Sequence, residues 1–236
     1  MIEVSGLYKS YGRKEVLRGI DLRIDPGTIT AVLGPNGSGK TTLIKSILGI
    51  VRSQKGIIRV NGVEINGNCS YKNDIGYLPQ IARFPENLKV RELIHMVSDL
   101  RNKKGDEIIL AEMFGLKPFF EVRLNSLSGG TRQKVNILMA FMFDTKQYIL
   151  DEPTAGLDPL SLIHFKELIR DEKEKGKSVL LTTHIINLVD EIADQVIFLL
   201  DGKVFFNGPL RELKALNGDA DLETAIANIL KKTQNV

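Results

Sequence analysis

The sequence predicts an α/β fold with a largely parallel sheet, an antiparallel β flank and a helical insertion. Three observations point there. A glycine-rich loop, Gly34-Pro35-Asn36-Gly37-Ser38-Gly39-Lys40-Thr41, lies between an apolar strand-like run and an amphipathic helix pattern. Strand and helix patterns alternate from Tyr148 onward, as in a sheet covered by crossover helices. Between these two parts, after Pro79, the patterning turns helical until roughly Phe143.

Residues 2–67 are dominated by short β-like stretches, punctuated by Asp25-Pro26-Gly27 and Asn61-Gly62, which read as turns of the antiparallel flank. The run 29–33 reads as a buried strand, and residues 42–48 carry apolar side chains at helical spacing until Gly49 stops them. Residues 75–78 form a strand ended by Pro79. The helical insertion offers candidates at 90–100, 106–114 and 130–143, the last apolar enough to be largely buried. Then follow a strand at 148–150, a helix at 160–173, a strand at 178–182 and a helix at 185–193. In the first of these helices Leu162, Phe165 and Ile169 form one apolar stripe, and the charged run 171–175 reads as a solvated face. Asp201-Gly202 between two apolar runs predicts a hairpin that closes the sheet. The tail, 211–236, suggests one or two short helices. The whole chain, 1–236, reads as one domain: a core from about 1–85 and 144–210, a helical part from about 86–143, and the tail.

A chain of 236 residues with 43% hydrophobic content can bury one substantial core. Its 32 basic and 29 acidic residues leave a net charge of +3 and are interspersed, so no nucleic-acid partner is expected. The single cysteine, Cys69, excludes an internal disulfide and is expected to be an inert thiol. No basic segment followed by an apolar stretch opens the chain, which predicts a cytoplasmic protein. The longest apolar runs, such as 137–143, fall far short of the ~20 residues that cross a bilayer. A membrane role would therefore need a partner.

The glycines of the loop let the backbone turn N–H groups toward anionic oxygens, where the dipole of the following helix adds positive potential. That combination attracts a nucleoside triphosphate. Residues Gly34, Pro35, Asn36, Gly37, Ser38, Gly39, Lys40, Thr41 and Thr42 are the candidate contacts, with Lys40 reaching the outer phosphates and the Thr41 hydroxyl a ligand for Mg²⁺. A second element, Tyr148-Ile149-Leu150-Asp151-Glu152-Pro153, ends an apolar strand in two carboxylates that strand alternation points apart. Asp151 is placed to hold Mg²⁺ through water, leaving Glu152 to polarise the water that attacks the γ-phosphate.

The third element is Leu127-Ser128-Gly129-Gly130, which opens an apolar helix. Here the sequence closely resembles the nucleotide-binding subunits of ATP-binding cassette (ABC) transporters, whose LSGGQ-type signature, phosphate loop and apolar strand ending in Asp-Glu occur in this order. The resemblance covers nearly the whole chain. It implies a P-loop NTPase (RecA-like) core with an antiparallel β subdomain and a helical subdomain carrying the signature. It also implies roles for single residues: Tyr11 stacking on adenine (Tyr8 the alternative), Gln80 sensing Mg²⁺ and the attacking water, Asp158 in the loop Gly156-Leu157-Asp158, and His184 contacting the γ-phosphate. His95 and His164 match nothing and are assigned to helix surfaces. Thr131 stands where the signature usually has glutamine, and Met139 replaces a basic residue common in the helix beyond.

In that family the signature of one subunit faces the phosphate loop of another, so the resemblance implies a second ATP-binding subunit, as a homodimer. ATP would lie between Lys40 and Thr41 of one protomer and Ser128, Gly129 and Gly130 of its mate. It further implies a separate transmembrane permease that docks near Gln80, Ile81, Arg83 and Phe84, holding the chain on the inner face of the cell membrane. A GTPase shares the first motif, but the N-K-x-D element that specifies guanine is missing. A soluble, non-transport ABC ATPase is the alternative, although the chain carries neither a long coiled-coil insertion nor a second cassette. The stretches 76–87 and 128–134 are similar to ATPase subunits linked to nitrous-oxide-reductase maturation, where copper or sulfur delivery is implied. The absence of a large C-terminal regulatory domain favours an exporter-like or multidrug-type cassette over a sugar importer.

Overall fold

In the computed structural model, which describes residues 1–67, 69–216 and 221–234, the chain builds two sheets that share one helix between them. β1 (Ile2–Tyr11) and β2 (Lys14–Ile24) form a hairpin, β3 (Ile29–Leu33) runs into α1 (Lys40–Ile47), and β4 (Lys55–Val60) and β5 (Val63–Glu64) return beside the hairpin. β6 (Ile75–Leu78) leads to α2 (Val90–Arg101), α3 (Glu107–Met113) and α4 (Gly129–Phe141). The chain then alternates through β7 (Gln147–Asp151), α5 (Pro159–Glu174), β8 (Ser178–Thr182), α6 (Ile186–Ile192), β9 (Gln195–Leu200) and β10 (Lys203–Pro209). It ends in α7 (Leu210–Ala215) and α8 (Leu222–Gln234). Residues 217–220 and 235–236 of the predicted tail lie outside the described residues.

The antiparallel sheet has the order β2-β1-β4-β5, and the larger sheet the order β10-β9-β3-β8-β7-β6. In the latter, β6, β7, β8, β3 and β9 are parallel, and β10 pairs antiparallel with β9 through the predicted hairpin. Every residue of β3, β7 and β8 is buried, which explains why these strands read as continuous apolar runs. Their side chains divide by strand alternation between two cores. Val32, Ile149, Leu180 and Ile197 face α1 and the antiparallel sheet, where Leu7, Leu17, Ile20, Leu43, Ile44 and Ile47 meet them. Ala31, Leu150, Leu181 and Phe198 face the other way, toward α4, α5 and α6 and the buried residues Leu222, Ala225 and Ile226 of α8.

The helical candidates appear at the predicted places, with 3-10 turns at Lys117–Phe119 and Leu124–Ser126 that carry no periodic signal long enough to read. The charged run at the end of α5 is not uniformly solvated. Glu172 is only 6% exposed and turns inward, accepting hydrogen bonds from the Tyr148 hydroxyl (2.7 Å) and from Lys177 (2.6 Å) and Lys175 (2.7 Å). His164 likewise departs from the surface expectation: it is half-buried, with its ring edge-on to Phe114 at 6.3 Å, while His95 is exposed. Cys69 is an exposed free thiol.

Burial works against the charge on Glu172, but the hydrogen bonds from Lys175, Lys177 and Tyr148 outweigh it and hold the carboxyl below its usual value. A lowered folded-state value makes its stabilising contribution complete above the ordinary value and lost as the pH falls through the folded one. Glu172→Ala is therefore expected to lower the unfolding free energy at neutral pH by about 2 kcal/mol, the scale of charged hydrogen bonds lost at a buried site. In urea melts the gap between wild type and variant should narrow once the pH drops below 4.5.

Candidate nucleotide site

The parallel register brings the C-terminal ends of β3, β7 and β8 to one edge of the sheet, with Asp151 opposite Thr182. This is the edge where open α/β sheets bind ligands. β3 delivers Leu33 to the loop and the loop delivers Lys40 to the first turn of α1. Gly34 has φ 151° and its Cα faces the Leu199 carbonyl so closely that a Cβ would sit 2.0 Å from that oxygen. Gly39, at φ 109°, heads α1, and a Cβ there would meet the Val16 carbonyl at 2.9 Å and the Leu17 side chain at 2.8 Å. Only glycine fits either position. No side chain caps α1, which leaves its first amides free to face an anion.

The Ser38 hydroxyl is buried within the loop without a protein partner, and the Lys40 ammonium folds back onto the carbonyls of Gly34 (2.8 Å) and Pro35 (3.2 Å). Burial lowers the Lys40 pKa, opposed by the charges of Glu152 and Asp151. A polyphosphate in the loop gives both groups partners and favours the charged form of the lysine against the effect of burial. The Thr41 hydroxyl points to the Asp151 carboxylate at 3.5 Å. That gap, between two hard oxygen donors on a buried strand end, suits a small cation that takes its remaining ligands from water and phosphate. Among the described residues no group of three or more His, Cys, Asp or Glu could hold a metal ion.

Asp151 is locked in place by the Thr182 hydroxyl, which donates to it at 2.6 Å. The next residue, Glu152, takes left-handed backbone geometry (φ 52°), held by hydrogen bonds from its N–H to the Thr182 carbonyl and hydroxyl, both 3.1 Å. This bend aims the Glu152 side chain, 13% exposed, at the mouth of the site, where its carboxylate meets His184 Nδ1 at 2.9 Å. The His184 side chain itself is 72% exposed. Gln80, exposed, lies two residues beyond the Leu78–Leu150 pair that ends the β6–β7 register. Tyr11 is 51% exposed near the tip of the β1–β2 hairpin, with the Lys9 ammonium 4.9 Å above its ring. The contact of Val16 and Leu17 with Gly39 sets that hairpin beside the phosphate loop. Tyr8, the alternative, carries Lys55 over its ring at 5.9 Å and packs against Gly19.

The signature lies apart from this group. Ser128 caps α4, accepting from the Thr131 N–H at 3.2 Å, and its hydroxyl is 2.9 Å from that of Thr131. Thr131 thus turns back on its own helix start, and Ser128 and Gly129 are exposed. Gly130 packs under the Gly156 carbonyl. Asp158 caps α5 through Ser161 and pairs with Lys134 at 2.7 Å. Lys134 first, then the Ser161 N–H and hydroxyl, hold its carboxyl far below the usual range. Among the described residues no hydrogen bond or ion pair joins residues 128–130 to residues 34–42 of the same chain.

Sequence reasoning missed Thr182 and Tyr77. The phenol of Tyr77, on β6, is pushed up to about 12 by burial and by the nearby Asp151 charge. Neither residue belongs to a local motif, and only the β6-β7-β8 register brings them to Asp151.

The family model described as ABC transporter matches residues 17–155, more than half of the chain. The chain belongs to the ABC transporter family. It is 32% identical over 223 residues to the ATP-binding protein LptB of the lipopolysaccharide export system of Acidithiobacillus ferridurans, covering 90% of this chain and 92% of that one. Its fold is similar to the solved ATP-binding subunit of an ABC transporter (TM-score 0.92, 29% identity, 98% of this chain and 99% of the other). It is also similar to a bacterial ABC transporter cassette solved as a dimer (TM-score 0.81, 25% identity, 89% and 99%). The protein is accordingly an ATP-binding, ATP-hydrolysing subunit of an ABC transporter. No described helix is long and apolar enough to cross a membrane.

Thr182 holds both acidic residues of the site, so Thr182→Val, which keeps the shape and removes the hydroxyl, should lower kcat for ATP about tenfold with KM changed less than about threefold. Steady-state phosphate release against ATP concentration measures both.

Proposed function

We propose that two copies of this chain clamp two Mg-ATP molecules between them and that hydrolysis, by separating the copies, drives a distinct transmembrane permease. Each nucleotide takes Tyr11 against its adenine and residues 34–42 on its phosphates from one protomer, with Ser128, Gly129, Gly130 and Asp158 from the mate. The observation that carries this reading is the pair of carboxylates at the end of β7. Asp151 is tied to Thr182 and faces Thr41, while the left-handed bend of the next residue sends Glu152 toward His184 instead. The one buried carboxylate suits a metal and the other a water.

Mg²⁺, when bound, neutralises phosphate charge and aligns the β- and γ-phosphates. Thr41 and Gln80 would hold it, with Asp151 acting through water, and Gln80 would also sense the attacking water. Lys40 leaves the carbonyls of Gly34 and Pro35 for the outer phosphates. Glu152 accepts a hydrogen bond from the attacking water and takes its proton as the new O–P bond forms and the bond from the γ-phosphorus to the bridging oxygen breaks, with ADP as the leaving group. His184 orients that carboxylate through Nδ1 and keeps its other ring nitrogen for the γ-phosphate. Hydrolysis then removes the anion that both protomers grip.

The permease contact is proposed beside Gln80. A cleft of about 350 Å³ is lined there by Ile81, Arg83, Phe84, Glu86, Leu124 and Arg132, and Ile81 is largely exposed. A helix end from a membrane subunit fits an opening of that size, with apolar walls and charged residues of both signs. The chain would then sit on the cytoplasmic face of the membrane. LptB serves an export system, and we assign an exporter-like role to this chain on that similarity.

Two variants test the site. Glu152→Gln should retain ATP and lose hydrolysis by about a hundredfold or more; ordinary turnover would remove Glu152 from the mechanism. Lys40→Ala should lose ATP affinity together with activity, as read by calorimetry, and unchanged binding would contradict the assignment.

A further inference from the structure

Helix α4 is buried along Val135, Ile137, Leu138 and Ala140, yet it carries an asparagine, Asn136, that is only 2% exposed. An amide in such a place is costly unless its hydrogen bonds are specific. Asn136 Nδ2 donates to the carbonyl of Pro79 at 3.1 Å, the oxygen of the peptide unit that begins Gln80. One turn earlier Gln133 Nε2 donates to the carbonyl of Pro153 at 2.7 Å, the residue after Glu152. The two amides face each other, Asn136 Nδ2 lying 3.5 Å from Gln133 Oε1.

Both carbonyls stand where the sheet no longer orders the backbone. β6 is the edge strand, paired only with β7, and its ladder stops at Leu78; β7 stops at Asp151. The helix can reach them because it packs directly on β6, where a Cβ on Gly76 would sit 2.4 Å from the Ala140 carbonyl. The same helix begins at Ser128 and Gly129.

We propose that Gln133 and Asn136 are positioning residues for ATP hydrolysis, fixing the Pro79–Gln80 peptide and the Pro153–Thr154 peptide that follows Glu152 to the helix whose tip is the signature. The inference rests on the reading of Gln80 and Glu152 given above. Its consequence is mechanical. When the tip of α4 engages a nucleotide held by the mate, the displacement passes along one rigid helix to the hydrolytic pair of its own chain. The two composite sites of a dimer are thereby coupled through α4 of each protomer.

The test uses the full chain with Asn136→Leu, close in size and without a donor, Asn136→Asp, which keeps size and polarity but presents a carboxylate to the carbonyl, and Gln133→Met. The measurements are kcat, KM for ATP, the Mg²⁺ concentration at half-maximal rate, ATP bound per chain, and the unfolding midpoint. Expected for each variant that folds is a kcat lowered about tenfold with KM and ATP stoichiometry within about twofold of wild type. The Asn136 variants should also need several-fold more Mg²⁺, since the Gln80 backbone is released. A merely packing role moves the unfolding midpoint and the ATP-binding fraction together and leaves the Mg²⁺ requirement alone; that pattern, or wild-type kcat in a folded variant, overturns the proposal. Glu152→Gln measured alongside separates the two levels. If it abolishes turnover while the α4 variants are normal, only the positioning role fails; if it turns over normally, the reading beneath it fails.

Discussion

In the proposed reading two carboxylates and a polyphosphate share one small volume at the end of the parallel sheet, and like charges at such range repel strongly where water is thin. The site is built around that conflict. Lys40 is the fixed positive charge, and Asp151 and Glu152 support its charged form against the effect of burial. The Thr41–Asp151 gap offers room for a divalent cation as the mobile one. Separating the two acids is the remaining requirement, met by the backbone: Asp151 ends a strand, and Glu152, in left-handed geometry, turns out of it.

Everything else in the fold serves to hold those few groups in register. Parallel pairing of β3 with β8 and of β8 with β7 brings a loop, a hydroxyl and two carboxylates to the same edge from three distant stretches of chain. Close backbone approach at Gly34 and Gly39 then fixes the loop against β9 and the β1–β2 hairpin, so that the antiparallel sheet becomes one wall of the site. The signature belongs to a different surface. Its tip, capped by Ser128, makes no hydrogen bond or ion pair to its own loop among the described residues, and in the proposed reading a second chain brings the two together on one nucleotide.

The parts legible from sequence are those whose chemistry is local. The phosphate loop, the Asp151-Glu152 step and the Asp201-Gly202 hairpin each announce themselves within a few residues, because a turn geometry or a strand end dictates the residue types. Thr182 does not, since a threonine closing an apolar strand has no local signal and acquires its role only through pairing with Asp151. Periodicity finds helix α5 but treats its charged end as uniform, whereas Tyr148, from a strand 24 residues earlier, draws Glu172 inward. Periodicity likewise puts His164 on a helix surface that Phe114 in fact covers. Gln133 and Asn136 were invisible for the same reason: a helical pattern marks which face is buried but not which buried amide meets a carbonyl of another segment.

The direct measurement of the central claim is the molar mass by light scattering of Glu152→Gln protein, with and without ATP and Mg²⁺. A nucleotide gripped from both sides predicts the mass of two chains when ATP and Mg²⁺ are present together, falling to one chain when the metal is chelated. A single-chain mass at saturating Mg-ATP, or a two-chain mass indifferent to nucleotide, would contradict it.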